Sequence, residues 1–478
     1  MNVSFSHFPA LRGIAIVTVG LILSSCTRPI FQLADPTFNC PTTLGNPQTN
    51  ETPPKSLQIE VHIDGSGSMI GYVPSAKPDE TDYSRMLEFL HSLLVDNQDP
   101  SFPVNPPLKY FRTGFNKDSQ ETQQAFQFKS PGALDPRFKA FYAEQRLTSQ
   151  LQSAITPSPL GQDKLLILIS DLDQDQSAIQ TVSQAIQTHF LSAKTPAYSV
   201  ALLGIMSQFD GTVYSTDPQK ISDFRYQGSR PVYLLWIGTN DRLEFYLEKF
   251  TEKLKKQGFE YELSIFSPRG LTQGFALESS AELPDGINSP FVLDSSDFVL
   301  EQQNAMGELL LISSRAMNEE SKTTSEIPYT LTAPPPDTFG NLQPFVVDLS
   351  ELKTDKKHIK SWNFNPETKA MEPENPSLPR VELKNPIQTG NRLQFQTVID
   401  LNSLDPQVIY PYRFDLIASD LNIQDWWQTW DWNKRSNNED GSKTYQLLRF
   451  MESLQTATIK ALPNNGTIGT FCFAVQKN

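Results

Sequence analysis

The chain has 478 residues, a formal net charge of −14 and a pI near 4.9, so it is long enough for two or three domains. It contains no Lys/Arg block, which excludes the basic footprint of a nucleic-acid binder and a polybasic membrane-surface segment. The acidity suits a soluble body with dispersed charge, and 36 prolines point to extended linkers and irregular connections.

The amino terminus reads as a targeting segment. His7 and Arg12 make a weakly basic start, and Ile14 to Leu23 is an apolar run too short for a comfortable permanent span. Leu23-Ser24-Ser25-Cys26 then resembles a bacterial lipobox. That resemblance implies a lipoprotein signal over residues 1–26, acylation of the Cys26 thiol and a lipid anchor in a bacterial cell envelope, facing the periplasm or the exterior. An ordinary cleaved signal and an uncleaved anchor are the alternatives. Residues 27–56, rich in Pro, Thr and Asn, predict a flexible tether reaching roughly 30 Å. Cys40 and Cys472 lie near opposite ends of the mature chain and are candidates for a disulfide in an oxidising compartment, or for two unpaired thiols.

Residues 57–268 alternate strand-like and helix-like runs, the pattern of an α/β domain with a doubly wound, mostly parallel sheet. Strands are predicted at 57–63, 108–112, 165–170, 198–203, 232–237 and 261–266. The near-continuous apolar run Leu165 to Ile169 fits a strand buried on both faces. Helices are predicted at 83–94, 148–155, 176–190 and 241–257. The last carries stop signals in Lys253, Lys255, Lys256 and Gly258. Residues 115–145 and 205–230 read as irregular excursions.

Residues 269–478 change character. Short β-prone runs at 329–332, 344–349, 380–383, 393–401, 412–417 and 467–475 alternate with Pro- and Gly-rich turns, which predicts a β-rich C-terminal domain, a sandwich or a barrel. Helical insertions are expected near 424–432 and 443–460. Trp426, Trp427, Trp430 and Trp432 are clustered there. They suit either a packed aromatic core or a platform for stacking sugars, such as those of peptidoglycan.

The most specific pattern is Val61-His62-Ile63-Asp64-Gly65-Ser66-Gly67-Ser68-Met69. Asp64, Ser66 and Ser68 place three hard oxygen donors at alternate positions, between a predicted strand and a predicted helix. Such a set suits a small hard dication, and the carboxyl end of a strand is where open α/β sheets bind ligands. Asp171 directly follows the buried run 165–170, so it sits at the end of a second strand. The stretch resembles the von Willebrand factor A family and its metal-ion-dependent adhesion site. The resemblance covers roughly residues 57–268 and implies Ser66, Ser68 and Thr148 as hydroxyl ligands, with Thr113 a rival to Thr148. It implies Asp64 and Asp171 as carboxylates acting directly or through water. The implied cofactor is Mg²⁺, or Mn²⁺ or Ca²⁺, and the implied partner is a protein presenting an Asp or Glu carboxylate, with no catalysis required. Asp173 and Asp175 read as capping or solvated charges.

His62 shares a strand face with Asp64 and reads as a core histidine or a group supporting a ligand. Two other functions remain open: a metal-dependent hydrolase, and a glycan-binding module built on the tryptophan cluster.

Overall fold

The computed structural model describes residues 56–73, 81–96, 106–116, 119–128, 135–143, 147–157, 163–173, 176–192, 198–214, 223–268, 423–432 and 440–461, together with strands between 276 and 417 and at 467–476. The expected signal over 1–26 with Cys26, the tether over 27–55, Cys40 and the strand expected at 344–349 lie outside the described residues. Cys472 is described only by its place in the strand Thr467–Gln476.

In chain order the first unit runs β1 (Leu57–Asp64), a 3₁₀ turn (Gly67–Tyr72), α1 (Asp82–Asp96), β2 (Leu108–Thr113), β3 (Gln123–Phe126) and α2 (Ala140–Ala143). A second 3₁₀ turn (Leu151–Ala154) follows, then β4 (Asp163–Ser170), α3 (Gln176–Ile186), β5 (Tyr198–Val213), β6 (Phe224–Thr239), α4 (Asn240–Lys256) and β7 (Tyr261–Phe266). One seven-stranded sheet takes the order β3-β2-β1-β4-β6-β5-β7. β1 pairs in parallel with β2 and β4, and the other four ladders are antiparallel, so the sheet is mixed. Its parallel part is β2-β1-β4, where the two chain crossovers of that half run through α1 and the segment around α2.

Period-two alternation divides the sheet into two faces. Leu57, Ile59, Val61 and Ile63 of β1, with Leu165, Ile167 and Ile169 of β4, join α1 and α4 in one core. α1 contributes Tyr83, Met86, Leu87, Leu90 and Leu94 at helical spacing, and α4 contributes Leu243, Tyr246, Leu247, Phe250 and Leu254. α4 ends where Gly258 adopts φ +73°, a left-handed conformation that costs glycine little, with lysines in the last turn.

Two sequence expectations change here. The helix expected at 148–155 is only the short 3₁₀ turn Leu151–Ala154, because its start is held in bridge pairing between Thr148 and Phe115. Residues 205–230 were expected to be irregular. Except for the segment 215–222, which lies outside the described residues, they are largely strand. β5 and β6 pair continuously from Tyr198↔Thr239 to Val213↔Phe224. β4 ends at Ser170↔Tyr233, so the β5–β6 ribbon projects past the carboxyl end of β4. Alternation keeps Phe209 and Val213 buried and Gln208 exposed. Gly71 and Gly211 let the ribbon lie directly on the 3₁₀ turn after β1. A Cβ on Gly211 would stand 2.6 Å from Gly71 Cα. Phe209 meets Tyr72 edge to face at 4.9 Å, and the Tyr72 hydroxyl donates to the Pro231 carbonyl.

The opposite face is completed from far along the chain. After β7 the described strands pair into a six-stranded sheet, which includes Ile409–Ile417 and Thr467–Gln476, and a four-stranded sheet, which includes Thr324–Thr332 and Arg392–Asp400. Between Ile417 and Thr467 the chain returns to the first unit as α5 (Asp425–Thr429), a short parallel pairing of Asp431–Trp432 with Thr444–Tyr445, and α6 (Leu447–Ala461). α6 packs on α3. Trp427 is fully buried, stacks on Phe266 at 5.9 Å and donates from Nε1 to Ser264 Oγ at 2.9 Å. Trp430 lies on Gly204, where a Cβ would come within 2.6 Å of its ring. The helical segments expected inside the C-terminal region therefore cover this face of the α/β sheet. Trp426, Trp427 and Trp432 are buried there, and Trp430 is half-buried.

Candidate functional site

The parallel strands β1, β2 and β4 end together, and the site forms at their carboxyl ends. Asp64 is the last residue of β1, Thr113 of β2 and Ser170 of β4, with Asp171 next along the chain. Asp64 is fully buried. Its Oδ1 accepts the Ser66 backbone N–H at 2.9 Å, the loop-closing bond that a D-x-S turn makes. Its Oδ2 accepts hydroxyl bonds from Ser149 at 2.9 Å and Ser170 at 2.8 Å. The Ser66 and Ser68 hydroxyls share a hydrogen bond of 3.0 Å.

Above these groups opens a cavity of about 460 Å³. Ser66, Ser68, Thr148, Ser149 and Asp173 form its polar lining, and Ile70, Tyr142, Leu147 and Tyr214 its apolar walls. Tyr214, at the end of the β5–β6 ribbon, is 45 % exposed. Asp64 and Asp171 do not line this space. The hydroxyls stand at the cavity and the two carboxylates lie behind them.

The electrostatics are unusual. Burial and the nearby Asp171 charge push the Asp64 carboxyl up to about 6, against the pull of its hydrogen bonds. Burial also raises Asp171, with the Arg230 guanidinium opposing. Asp173 is pushed up to about 7 by burial, again with Arg230 opposing and Asp171 adding to the rise. Asp171 Oδ2 is buried without a hydrogen-bond partner. An orphaned carboxylate oxygen is costly and calls for an explanation such as an ion. When ionised, Asp64, Asp171 and Asp173 with Arg230 sum to −2, the balance of one divalent cation. Among the described residues no group of three or more His, Cys, Asp or Glu side chains is arranged as metal ligands. The donor set is rich in hydroxyls instead, and these residues fit a hard dication that keeps part of its water.

The residues singled out from sequence fall as follows. Asp64, Ser66, Ser68 and Asp171 are brought together. Thr148 lines the same cavity and is exposed, while its neighbour Ser149 holds Asp64. Thr113 is buried and pairs with His62 Nδ1 at 3.1 Å, away from the cavity lining. His62 is buried and stacked on Phe111, and burial lowers its pKa despite Glu60 at 3.6 Å. Glu60 also pairs with Lys164, and although burial opposes it, His62 and Lys164 hold Glu60 down to about 2.

Asp173 is not a solvated charge. Its side chain is 6 % exposed and ion-paired with Arg230 at 2.8 Å. Asp175 lies outside the described residues. Sequence reasoning missed Ser149, Ser170 and Arg230. Ser149 and Ser170 each adjoin a residue that was singled out, whereas Arg230 lay in a stretch read as irregular. Comparison with protein-family models, with curated proteins and with solved structures gives no match.

Proposed function

We propose that this protein is a binding module rather than an enzyme, with a von Willebrand A-like α/β domain that holds a divalent cation, Mg²⁺ foremost, and through it the Asp or Glu carboxylate of a protein partner. The observation that carries this reading is the orphaned, fully buried Asp171 carboxylate oxygen beside Asp64, beneath the Ser66–Ser68 hydroxyl pair. Ser66, Ser68 and Asp171 would hold the ion with Thr148 at the rim, and Asp64 would act directly or through water. The ion would supply a positive centre at the cavity floor. With mostly neutral donors around it, that centre stays electron-poor and favours an incoming carboxylate over a water.

The protein's own residues do the rest. Asp64 orders the loop through the Ser66 amide, and Ser149 and Ser170 fix the Asp64 rotamer. The walls Ile70, Tyr142, Leu147 and Tyr214 form an apolar surround that limits competing water. The lipobox-like sequence at Cys26 supports placing this activity on a lipid anchor at a bacterial envelope membrane. Four antiparallel ladders set this sheet apart from the mostly parallel one that the family resemblance implies.

The test is Mg²⁺ titration calorimetry with capture of envelope proteins, on the parent and on Asp64→Ala. Binding of Mg²⁺, and capture of a partner that chelator abolishes, are both expected to disappear in Asp64→Ala. A partner held at full strength by that variant, or in chelator, would sink the reading.

A further inference from the structure

The loop Asp171-Leu172-Asp173 is gripped from two directions. On the β1 side, Ser170 Oγ accepts the Leu172 N–H at 3.1 Å while donating to Asp64. On the other side the grip comes from β6 and from the returning segment, more than 200 residues further along the chain. Arg230 is 1 % exposed. One arm of its guanidinium donates to Asp173 Oδ2 at 2.8 Å, and the other donates to the carbonyls of Gly441 and Lys443, each at 2.9 Å. The Phe209 ring lies 5.5 Å beneath. The Tyr445 N–H donates to Asp173 Oδ1 at 3.3 Å, and Thr444 Oγ1 donates to the Asp171 carbonyl at 3.4 Å. Between the two aspartates Leu172 adopts φ +53°, a left-handed conformation that a leucine rarely takes. That turn sends Asp171 toward Asp64 and Asp173 toward Arg230.

We infer that Arg230, acting through Asp173 and locked by the Gly441–Tyr445 segment, is the positioning residue of the candidate metal site: it holds the left-handed loop that presents the Asp171 carboxylate, whose Oδ1 accepts the Asp173 N–H at 3.4 Å and whose Oδ2 has no hydrogen-bond partner. The inference rests on the metal reading above. Two features favour positioning over simple stabilisation. A single guanidinium joins three chain segments, and its rigid planar fork reaches a carboxylate with one nitrogen and two carbonyls with another, whereas an ammonium offers a single point charge. The aspartate it neutralises is also the one next to the orphaned ligand rather than a remote surface acid. The site would be complete only when the chain returns after the inserted strands.

The experiment measures Mg²⁺ affinity by calorimetry on the full chain for the parent, Arg230→Met, Arg230→Lys and the double variant Arg230→Met/Asp173→Asn. Amide hydrogen exchange over 170–173 and at Tyr445 is followed in chelator. Loss of a group that orients a metal ligand lowers metal affinity by about 10- to 100-fold, which is the expectation for Arg230→Met. The double variant removes both ends of the grip and is expected to stay as weak as Arg230→Met, whereas recovery would assign the loss to the unpaired Asp173 charge and not to a lost grip on the loop. Unchanged affinity in Arg230→Met, or a double variant that recovers parental affinity, would overturn the inference. If Arg230→Met does not fold, Arg230→Lys decides. It keeps the charge and loses the fork, so weaker binding supports positioning and parental binding refutes it. If the parent itself binds no Mg²⁺, the metal reading fails, and the clasp is judged by exchange alone. Faster exchange at Leu172, Asp173 and Tyr445 in the Arg230 variants supports it, and unchanged exchange overturns it.

Discussion

Ionising Asp64 without a cation nearby should destabilise the fold, and the structure sets the size of that effect. Its carboxyl stands at about 6 against an ordinary value of 3.8. Two pKa units correspond to about 3 kcal/mol between the protonation states. The sign follows from proton linkage. Between pH 3.8 and about 6 the folded protein binds the proton and the unfolded chain releases it. Stability is therefore fully retained below that window, falls as pH rises through it, and stays low above it. Asp64→Asn removes the titration. Urea denaturation in chelator from pH 4 to 8, parent against Asp64→Asn, should give a difference curve in which the parent loses about 3 kcal/mol relative to the variant across the window. Saturating Mg²⁺ should restore most of that loss in the parent at neutral pH and none in the variant. A flat difference curve would refute the idea that Asp64 is held in a desolvated, acid-rich pocket.

Thr148→Ala and Ser149→Ala separate two neighbours with different roles. Ser149→Ala strips one of the two hydroxyl bonds from Asp64 Oδ2 and should cost about 1–2 kcal/mol of stability in chelator, with weaker Mg²⁺ binding. Thr148→Ala should leave stability in chelator unchanged, because the side chain is exposed, and should weaken Mg²⁺ binding only if its hydroxyl reaches the ion. Trp427→Ala should cost about 3–5 kcal/mol in urea denaturation, because it empties the contact with Phe266 and leaves Ser264 without its indole donor. The same variant reads out the glycan alternative: polysaccharide pull-down that is lost while the fold survives would favour a sugar platform over a core role.

Where periodicity and burial agree, the sequence was explicit. The apolar runs at 57–63 and 165–170 are strands, the spacing of Met86, Leu87, Leu90 and Leu94 is a helix face, and the lysines before Gly258 end α4. The β5–β6 ribbon was hidden for a physical reason. Beyond the end of β4 the residues of β5 alternate between buried and half-buried or exposed, with Gln208, Asp210 and Thr212 on the outer side and glycine at Gly211. No continuous apolar run marks the strand. On the inner side Gly211 interrupts Phe209 and Val213, because the ribbon there lies directly on Gly71. The tryptophan cluster was visible as a cluster, but its partners Gly204, Ser264 and Phe266 lie some 160 to 230 positions away. No local pattern could assign it to the first sheet rather than to the strands around it.

The same distinction runs through the site. Asp64, Ser66 and Ser68 are adjacent in sequence because one tight turn presents them all, so a short pattern could carry them. Asp171 was found because a buried strand must end somewhere, and its end beside β1 follows from parallel pairing. Arg230 and the Gly441–Tyr445 segment left no such trace. A buried cation that satisfies two carbonyls and an aspartate depends on three chain segments meeting, and each segment alone looks ordinary: a basic residue before a proline, a polar turn, and an Asp-Leu-Asp step. What the sequence displays is therefore the part of the site that one tight turn and the end of one buried strand carry. What it conceals is the clasp on the Asp171-Leu172-Asp173 loop, which on the proposed reading would decide whether Asp171 reaches an ion that Ser66 and Ser68 would hold. If that division is right, altering the legible residues should abolish cation binding, whereas altering the concealed ones should weaken it by degrees, with no recovery when Asp173 is neutralised as well.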